Sequence, residues 1–377
     1  MSLTVCLSAY ALGYPQGGGH TWVYLNWALG LRALGCRVIW LEGLHPGVPA
    51  ARAEKLVAAM KDRLEPYGLA DDLAISSLTE QPLSPTVAQD CLDVAAAAEA
   101  DVLINLRYKA AAELVGRFRR SVLVDIDPGL LQTWMARGKI QVAPHHVYYT
   151  IGETVGQPGA RFPDAGLEWH YTPPCVALDW WRPHPARVDA PFTTVSHWYM
   201  GNWEHDGGET YSNSKRDGFL PFLDLPRHTR QRLELALNLA GSEEERVALQ
   251  ARGWSVREAH EVTATPEDYQ RYIQGSSRGE FSCVKPSCVR RQNAWISDRT
   301  LCYLASGKPA VVQHTGPSRF LPDAAGLFRF HDVAEAARCL ETAAADYERQ
   351  CRLARALAEE YFDARKVAGG LLERALA

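Results

Sequence analysis

Two stretches of this sequence bring cations to places where a chain of this kind can hold phosphate. The first is Ser282-Cys283-Val284-Lys285-Pro286-Ser287-Cys288-Val289-Arg290-Arg291, which leads through Trp295-Ile296-Ser297-Asp298-Arg299 to Leu304-Ala305-Ser306-Gly307-Lys308-Pro309-Ala310-Val311-Val312. It reads as a strand, a basic loop, a helix opened by Ser297 and Asp298, and a Gly-Lys-Pro turn into another strand. Ser297 suits the N-cap, and the cluster of Lys285, Arg290 and Arg291 can face the phosphates of a bound diphosphate. Asp298 can accept the hydroxyls of a ribose, as acidic residues do in other nucleotide sites. Equally, it can complement the positive end of its helix. The second stretch is Tyr211-Ser212-Asn213-Ser214-Lys215-Arg216-Asp217-Gly218. Lys215 and Arg216 at a loop-to-helix junction supply two cations beside free backbone N–H groups, which also suits a diphosphate, although two adjacent charges alone also read as a solvated loop.

A third candidate stands near the start, at Gly17-Gly18-Gly19-His20. Gly18 and Gly19 let backbone approach a ligand closely at a helix N-terminus, where anions are favoured. Read as a dinucleotide fingerprint, the run has Trp22 where the third glycine should pack helix on strand, which argues against a nicotinamide or flavin site. His20 has the pKa range of a general base toward an acceptor hydroxyl. It is also placed to be a solvated first-turn residue.

The elements that must position these groups alternate. Leu3–Ala9 reads as a buried strand, His20–Leu34 as a helix stopped at Gly35, and Arg37–Leu41 as the next strand, a βαβ unit with its glycines at the first turn. Helices over Ala51–Leu64, Val87–Ala98 and Ala110–Phe118 and strands over Asp101–Leu106, Ser121–Ile126 and His146–Ile151 follow. A Pro- and Gly-rich stretch, 156–191, reads as the end of one domain and a linker. Strands resume at Thr193–Ser196, Leu233–Leu239, Gly279–Val284 and Ala310–Gln313, with a helix over Ile296–Ala305. Residues Ala334–Ala377 are mostly helical. Ligands of open α/β sheets sit outside the carboxyl ends of strands. The expected fold class is therefore α/β, with two Rossmann-like domains whose parallel sheets face a cleft. The expected limits are 1–178, 179–350, and 351–377 as a helix crossing back to the first domain.

At 377 residues, 47% hydrophobic and 22% charged, the chain has the composition of a folded two-domain protein. A formal charge of -4 excludes nucleic-acid binding driven by bulk charge. Nine scattered cysteines complete no zinc pattern and read as buried reduced thiols of a reducing, cytoplasmic compartment. No basic leader is visible, and no segment approaches the roughly 18 apolar residues of a membrane span. Of the 11 tryptophans, Trp180, Trp181, Trp198 and Trp203 lie near the domain junction, and one or two are expected to offer a flat face to a sugar or base.

Leu304-Ala305-Ser306-Gly307-Lys308-Pro309-Ala310-Val311-Val312 resembles the helix-to-strand signature of GT-B-fold glycosyltransferases, notably the large family that includes glycogen and sucrose synthases. Pro15-Gln16-Gly17-Gly18-Gly19 and Gly35-Cys36-Arg37-Val38 resemble that family's first loop and second strand. Lys215 falls where its diphosphate-binding lysine lies, and Tyr361-Phe362-Asp363 resembles its returning helix. The resemblance implies a GT-B fold and transfer of a sugar from a nucleoside diphosphate sugar to a small-molecule or glycan acceptor. The first domain would hold the acceptor and the second the donor, without metal or further cofactor. The family's ribose-binding glutamate, five residues before the glycine of Gly-Lys-Pro, is here Cys302, and its second glutamate, eight residues earlier, is Ala294. Asp298, one turn before Cys302, lies on nearly the same helix face. A sugar-nucleotide epimerase of the same layout and a catalytically silent sugar- or nucleotide-binding protein are the alternatives. Asp125 and Asp127 match the letters of a metal motif but lie in the half not expected to hold the donor.

Overall fold

Val5, Cys6 and Leu7 are fully buried, as are Val38 to Leu41. Strands apolar on both sides need helices on both faces, and a parallel sheet with crossover helices provides that. The computed structural model describes residues 3–79, 81–199, 201, 203–206 and 208–377. Its first sheet holds β1 (Thr4–Ser8), β2 (Arg37–Leu44), β3 (Leu73–Ser77), β4 (Val102–Asn105), β5 (Ser121–Asp125), β6 (Val147–Thr150) and β7 (Trp169–Tyr171). All are parallel, in the order β3-β2-β1-β4-β5-β6-β7. Next come β8 (Phe192–His197), the antiparallel hairpin β9 (Trp203–Asp206) and β10 (Glu209–Ser212), and then β11 (Leu233–Asn238) and β12 (Ser255–Glu258). β13 (Gly279–Ser282), β14 (Ala310–Gln313) and β15 (Leu327–Phe330) complete a second parallel sheet, in the order β12-β11-β8-β13-β14-β15. Strand order reverses once in each sheet, between β1 and β4 and between β8 and β13. Those two crevices are the ligand positions of a doubly wound sheet.

The chain forms two units: Met1–Gln157 with Phe162–Ala177 and Asp363–Ala377, and Pro158–Arg161 with Leu178–Phe362. The core of the second unit gathers Phe192, Phe219, Trp254, Phe281 and Phe330. That of the first gathers Cys6, Ile39, Leu41 and Leu103 under one face of its sheet.

Several expected elements take a different form. The stretch read as linker contains β7, and it stays with the first unit as far as Ala177, apart from Pro158–Arg161. The helix expected over Val87–Ala98 is two short pieces, Pro85–Ala88 and Val94–Ala98. Asp93 opens the second by accepting the Ala96 N–H at 2.7 Å. The single returning helix over 351–377 is two, Tyr347–Tyr361 and Ala364–Leu376, separated by Phe362 and Asp363. Asp363 caps the second through the Arg365 N–H, and Val176 bridges to it as an isolated β-pair. This last helix packs on Gly18–Ala33. At the contact a Cβ on Gly30 would stand 2.6 Å from that of Ala364, so only glycine permits the approach.

All nine cysteines are free thiols. Among the described residues, no helix is long and apolar enough to cross a membrane.

Candidate functional site

The β8/β13 crevice of the second unit is built from three segments distant in sequence. Ser214 caps the helix Lys215–Phe219 by accepting the Asp217 N–H. That helix can lie against the chain after β13 because residue 218 is glycine: a Cβ there would come within 1.9 Å of the Val284 carbonyl oxygen. The close approach brings Lys215 Nζ to the Cys283 carbonyl, to which it donates at 2.9 Å, and to within 5.9 Å of the Trp295 ring centroid. Arg299 closes the floor of the crevice. Its Nε meets Glu280 of β13 at 2.7 Å, Nη1 donates to the Val195 carbonyl of β8 at 3.0 Å, and Nη2 donates to Ser282 Oγ at 2.5 Å. The guanidinium thereby ties together the two strands between which the order reverses.

Burial pushes the Lys215 ammonium down to about 7, and the charges of Arg299 and Lys285 add to the shift. His197, at the end of β8, is also held below its ordinary value, by burial, His260 and Lys285. Among the described residues no carboxylate pairs with Lys215 or Lys285, so two lysines and two histidines gather at these strand ends without a carboxylate partner for either lysine. Such an arrangement attracts a multiply charged anion.

Arg290 and Arg291 are held elsewhere. They occupy the last turn of the helix Pro286–Arg291 and lie against the β9–β10 hairpin. Arg290 pairs with Glu209 at 2.7 Å and stacks over Tyr211, while the buried Arg291 donates to the Tyr211 hydroxyl at 3.2 Å. Lys285, at the N-cap of the same helix, is the member of that basic run that faces the crevice.

Asp298 is the first residue of the helix Asp298–Ala305 and half-buried. Ser297 occupies the N-cap without a side-chain capping bond. The Gly-Lys-Pro turn that follows this helix is structural. Gly307 adopts φ +67°, the Gly307 N–H reaches the Leu304 carbonyl, and the Lys308 N–H reaches that of Tyr303, the paired bonds of a Schellman stop. The buried Lys308 ammonium donates to the Ser277 carbonyl.

In the first unit, Gly18 and Gly19 open the helix Gly18–Ala33 after β1. They belong to a different unit from Lys215, Arg290 and Arg291. His20 Nε2 lies 2.7 Å from the Tyr10 carbonyl. A carbonyl only accepts, so Nε2 carries the proton and Nδ1 is the basic nitrogen of the neutral ring. His20 stands 4.5 Å from the Tyr14 ring and 5.3 Å from that of Tyr24. At the end of β4, Arg107 is buried, and a Cβ on Gly43 would collide with its Nη1. Asp125, at the end of β5, accepts from Gln132, Thr150 and the Asp127 N–H; burial nonetheless pushes it up to about 7. Trp181 and Trp198 are core residues and Trp180 is partly exposed. The side chain of Trp203 lies outside the described residues.

No family model matches this chain, and no curated protein resembles it closely enough to be matched. Solved structures do. Sucrose-phosphate synthase from Thermosynechococcus elongatus superposes with a TM-score of 0.56 at 12% identity, covering 99% of each chain. HepE of Anabaena in complex with UDP and glucose gives 0.58 at 16% identity, again over 99% of each chain. An alpha-glucosyltransferase bound to UDP-glucose and DNA containing an abasic site gives 0.54 at 10% identity over the whole of both chains. The chain has the GT-B fold.

Within the GT-B frame, the two positions that lack the glutamates are closed to a ligand by their surroundings. Cys302 is buried and its Sγ donates to the Asp298 carbonyl at 3.4 Å. Ala294 is buried too, in a left-handed conformation (φ +57°), with its N–H on the Thr315 carbonyl. Sequence reasoning grouped Lys285 with Arg290 and Arg291 and passed over Arg299, whose partners come from β8 and β13.

Proposed function

We propose that this chain transfers a sugar from a nucleoside diphosphate sugar to a hydroxyl-bearing acceptor. The second unit would hold the donor and the first the acceptor. The observation that carries the reading is the pair of lysines that no carboxylate neutralises among the described residues, Lys215 and Lys285, beside Arg299 at the β8/β13 crevice. A leaving diphosphate develops negative charge as the glycosidic bond breaks. Fixed cations at that position stabilise the departing group without rearranging. With this charge supplied by the protein, the reaction proceeds without a metal. His20 Nδ1 is the base we assign to the acceptor hydroxyl, and we place the acceptor beside the helix start at Gly18 and Gly19.

The deciding experiment is incubation with a panel of nucleotide sugars, with and without candidate acceptors. Release of nucleoside diphosphate that rises on adding an acceptor supports transfer. An isomerised sugar would establish an epimerase, and tight binding without turnover a silent binding protein.

We assign the ribose hydroxyls to Asp298. Asp298→Asn is expected to weaken UDP binding several-fold in a calorimetric titration and to leave the melting temperature nearly unchanged. If the carboxylate serves only the positive helix end, stability falls by about 0.3–1 kcal/mol instead and affinity holds.

A further inference from the structure

Three side chains at the carboxyl ends of the second sheet are joined by bonds to which the lysines and Arg299 contribute nothing. The register pairs Asn238, the last residue of β11, with His197, the last residue of β8. His260 stands beside them on the helix Ala259–Thr263, which follows β12 without a break. The Asn238 amide lies between the two imidazoles, its Nδ2 3.3 Å from His197 Nδ1 and 3.0 Å from His260 Nε2. Its Oδ1 accepts the Ala240 N–H at 3.0 Å. An amide nitrogen cannot accept that bond, so the backbone settles which way the amide faces. Nδ2 carries two protons and donates one to each ring.

Those two bonds fix where the ring protons are. His197 Nδ1 and His260 Nε2 both accept, which leaves the protons on His197 Nε2 and His260 Nδ1. A second proton on His197 would set an N–H against the Asn238 N–H, so Asn238 holds that imidazole uncharged. The titratable groups that face it, His260 and Lys285, act with burial in the same direction. An uncharged ring suits this place. Lys215, Lys285 and Arg299 already concentrate positive charge there, and a further cation would be repelled while the crevice is empty. A neutral N–H still donates to a phosphate oxygen. His197 is exposed, and its Nε2 has no partner among the described residues.

We propose that Asn238 is a positioning residue of the donor site: by donating to His197 Nδ1 it keeps that ring neutral and presents its Nε2–H as a fixed donor to the nucleotide's diphosphate. This rests on the donor reading above for the ligand, whereas the state of the ring does not depend on it. Long-range proton–nitrogen NMR spectra of the full chain, labelled at its histidine nitrogens and without nucleotide, read that state, and His197→Gln identifies the His197 signals. Nε2 should be protonated and Nδ1 bare, and both should stay so at about pH 5.5, where an ordinary imidazole is mostly charged. In Asn238→Asp the carboxylate still accepts the Ala240 N–H, so the turn is kept, but only acceptors face the ring. His197 Nδ1 should then gain a proton and the ring should titrate higher by about one pH unit or more. In a calorimetric titration His197→Phe should weaken UDP binding about tenfold, the worth of one hydrogen bond to a charged group. His197→Gln, which keeps an N–H near the Nε2 position, should restore most of that loss. A proton on His197 Nδ1 in the wild type, a ring that titrates like a free imidazole, or a His197→Phe variant that binds UDP normally would overturn the proposal. Failure of the donor reading looks different: the wild type and Lys215→Ala then bind no UDP alike, which removes the ligand from His197 whatever the nitrogen spectra show.

Discussion

Arg299→Leu destabilises the second unit by about 3–5 kcal/mol, the cost of stranding a buried carboxylate whose partner has been removed. Glu280 is fully buried, and Arg299 is its ion-pair partner at 2.7 Å. The same substitution also breaks the bonds to Val195 and Ser282 that join β8 to β13. The measurement is urea unfolding followed by the tryptophans of that unit, with Arg299→Leu/Glu280→Leu as the control. The double variant removes both charges and should recover most of the loss, because two apolar side chains of similar volume carry no stranded charge. A single variant within 1 kcal/mol of wild type, by this order-of-magnitude reckoning, would show that the pair is not the keystone of the crevice.

Lys215→Ala weakens UDP binding by about ten- to a hundredfold, since a charge-assisted bond to a charged group is worth about 1.5–3 kcal/mol. The binding should also be linked to pH in a definite direction. In the empty protein the Lys215 ammonium is held down to about 7 by burial and by the charge of Arg299. A diphosphate favours the charged form, so its arrival raises that value and a proton is taken up. Above pH 7 wild-type affinity therefore falls with rising pH, by at most about tenfold per unit, the limit for one linked proton. In Lys215→Ala this slope should vanish. Calorimetry at pH 7 and 8.5, in buffers of different ionisation enthalpy, reads both the slope and the proton. A wild-type affinity flat across that range would refute the assignment, as would a Lys215→Ala variant that binds normally.

The parts of this architecture that were legible share a physical cause. Val5 to Leu7 and Val38 to Leu41 are buried on both sides, so their strands announce themselves as unbroken apolar runs, and the glycines between them mark the turn. Gly307 was legible because a left-handed helix stop has few alternatives to glycine. β3, β7, β12 and β15 were not: each is five residues or fewer, and β7 and β12 are half polar at sheet edges. The site divides in the same way. Lys215 stood out beside a helix start. Arg299 did not, because its partners come from Val195, Glu280 and Ser282, and nothing local in the sequence signals that meeting. Lys285, Arg290 and Arg291 looked equivalent as letters. A helix of six residues separates them, carrying the arginines to the hairpin and leaving the lysine at the strand end.

The discontinuity of the first unit sets an order of events during synthesis. Its last helix, Ala364–Leu376, buries Ala364, Val367, Ala368, Leu371, Leu372 and Ala375. These residues leave the ribosome only after the whole of the second unit has been made. Until then the face of Gly18–Ala33 around Gly30 has no cover. The unit that begins the chain is thus the one completed last, and its nascent form is the species most in need of a chaperone.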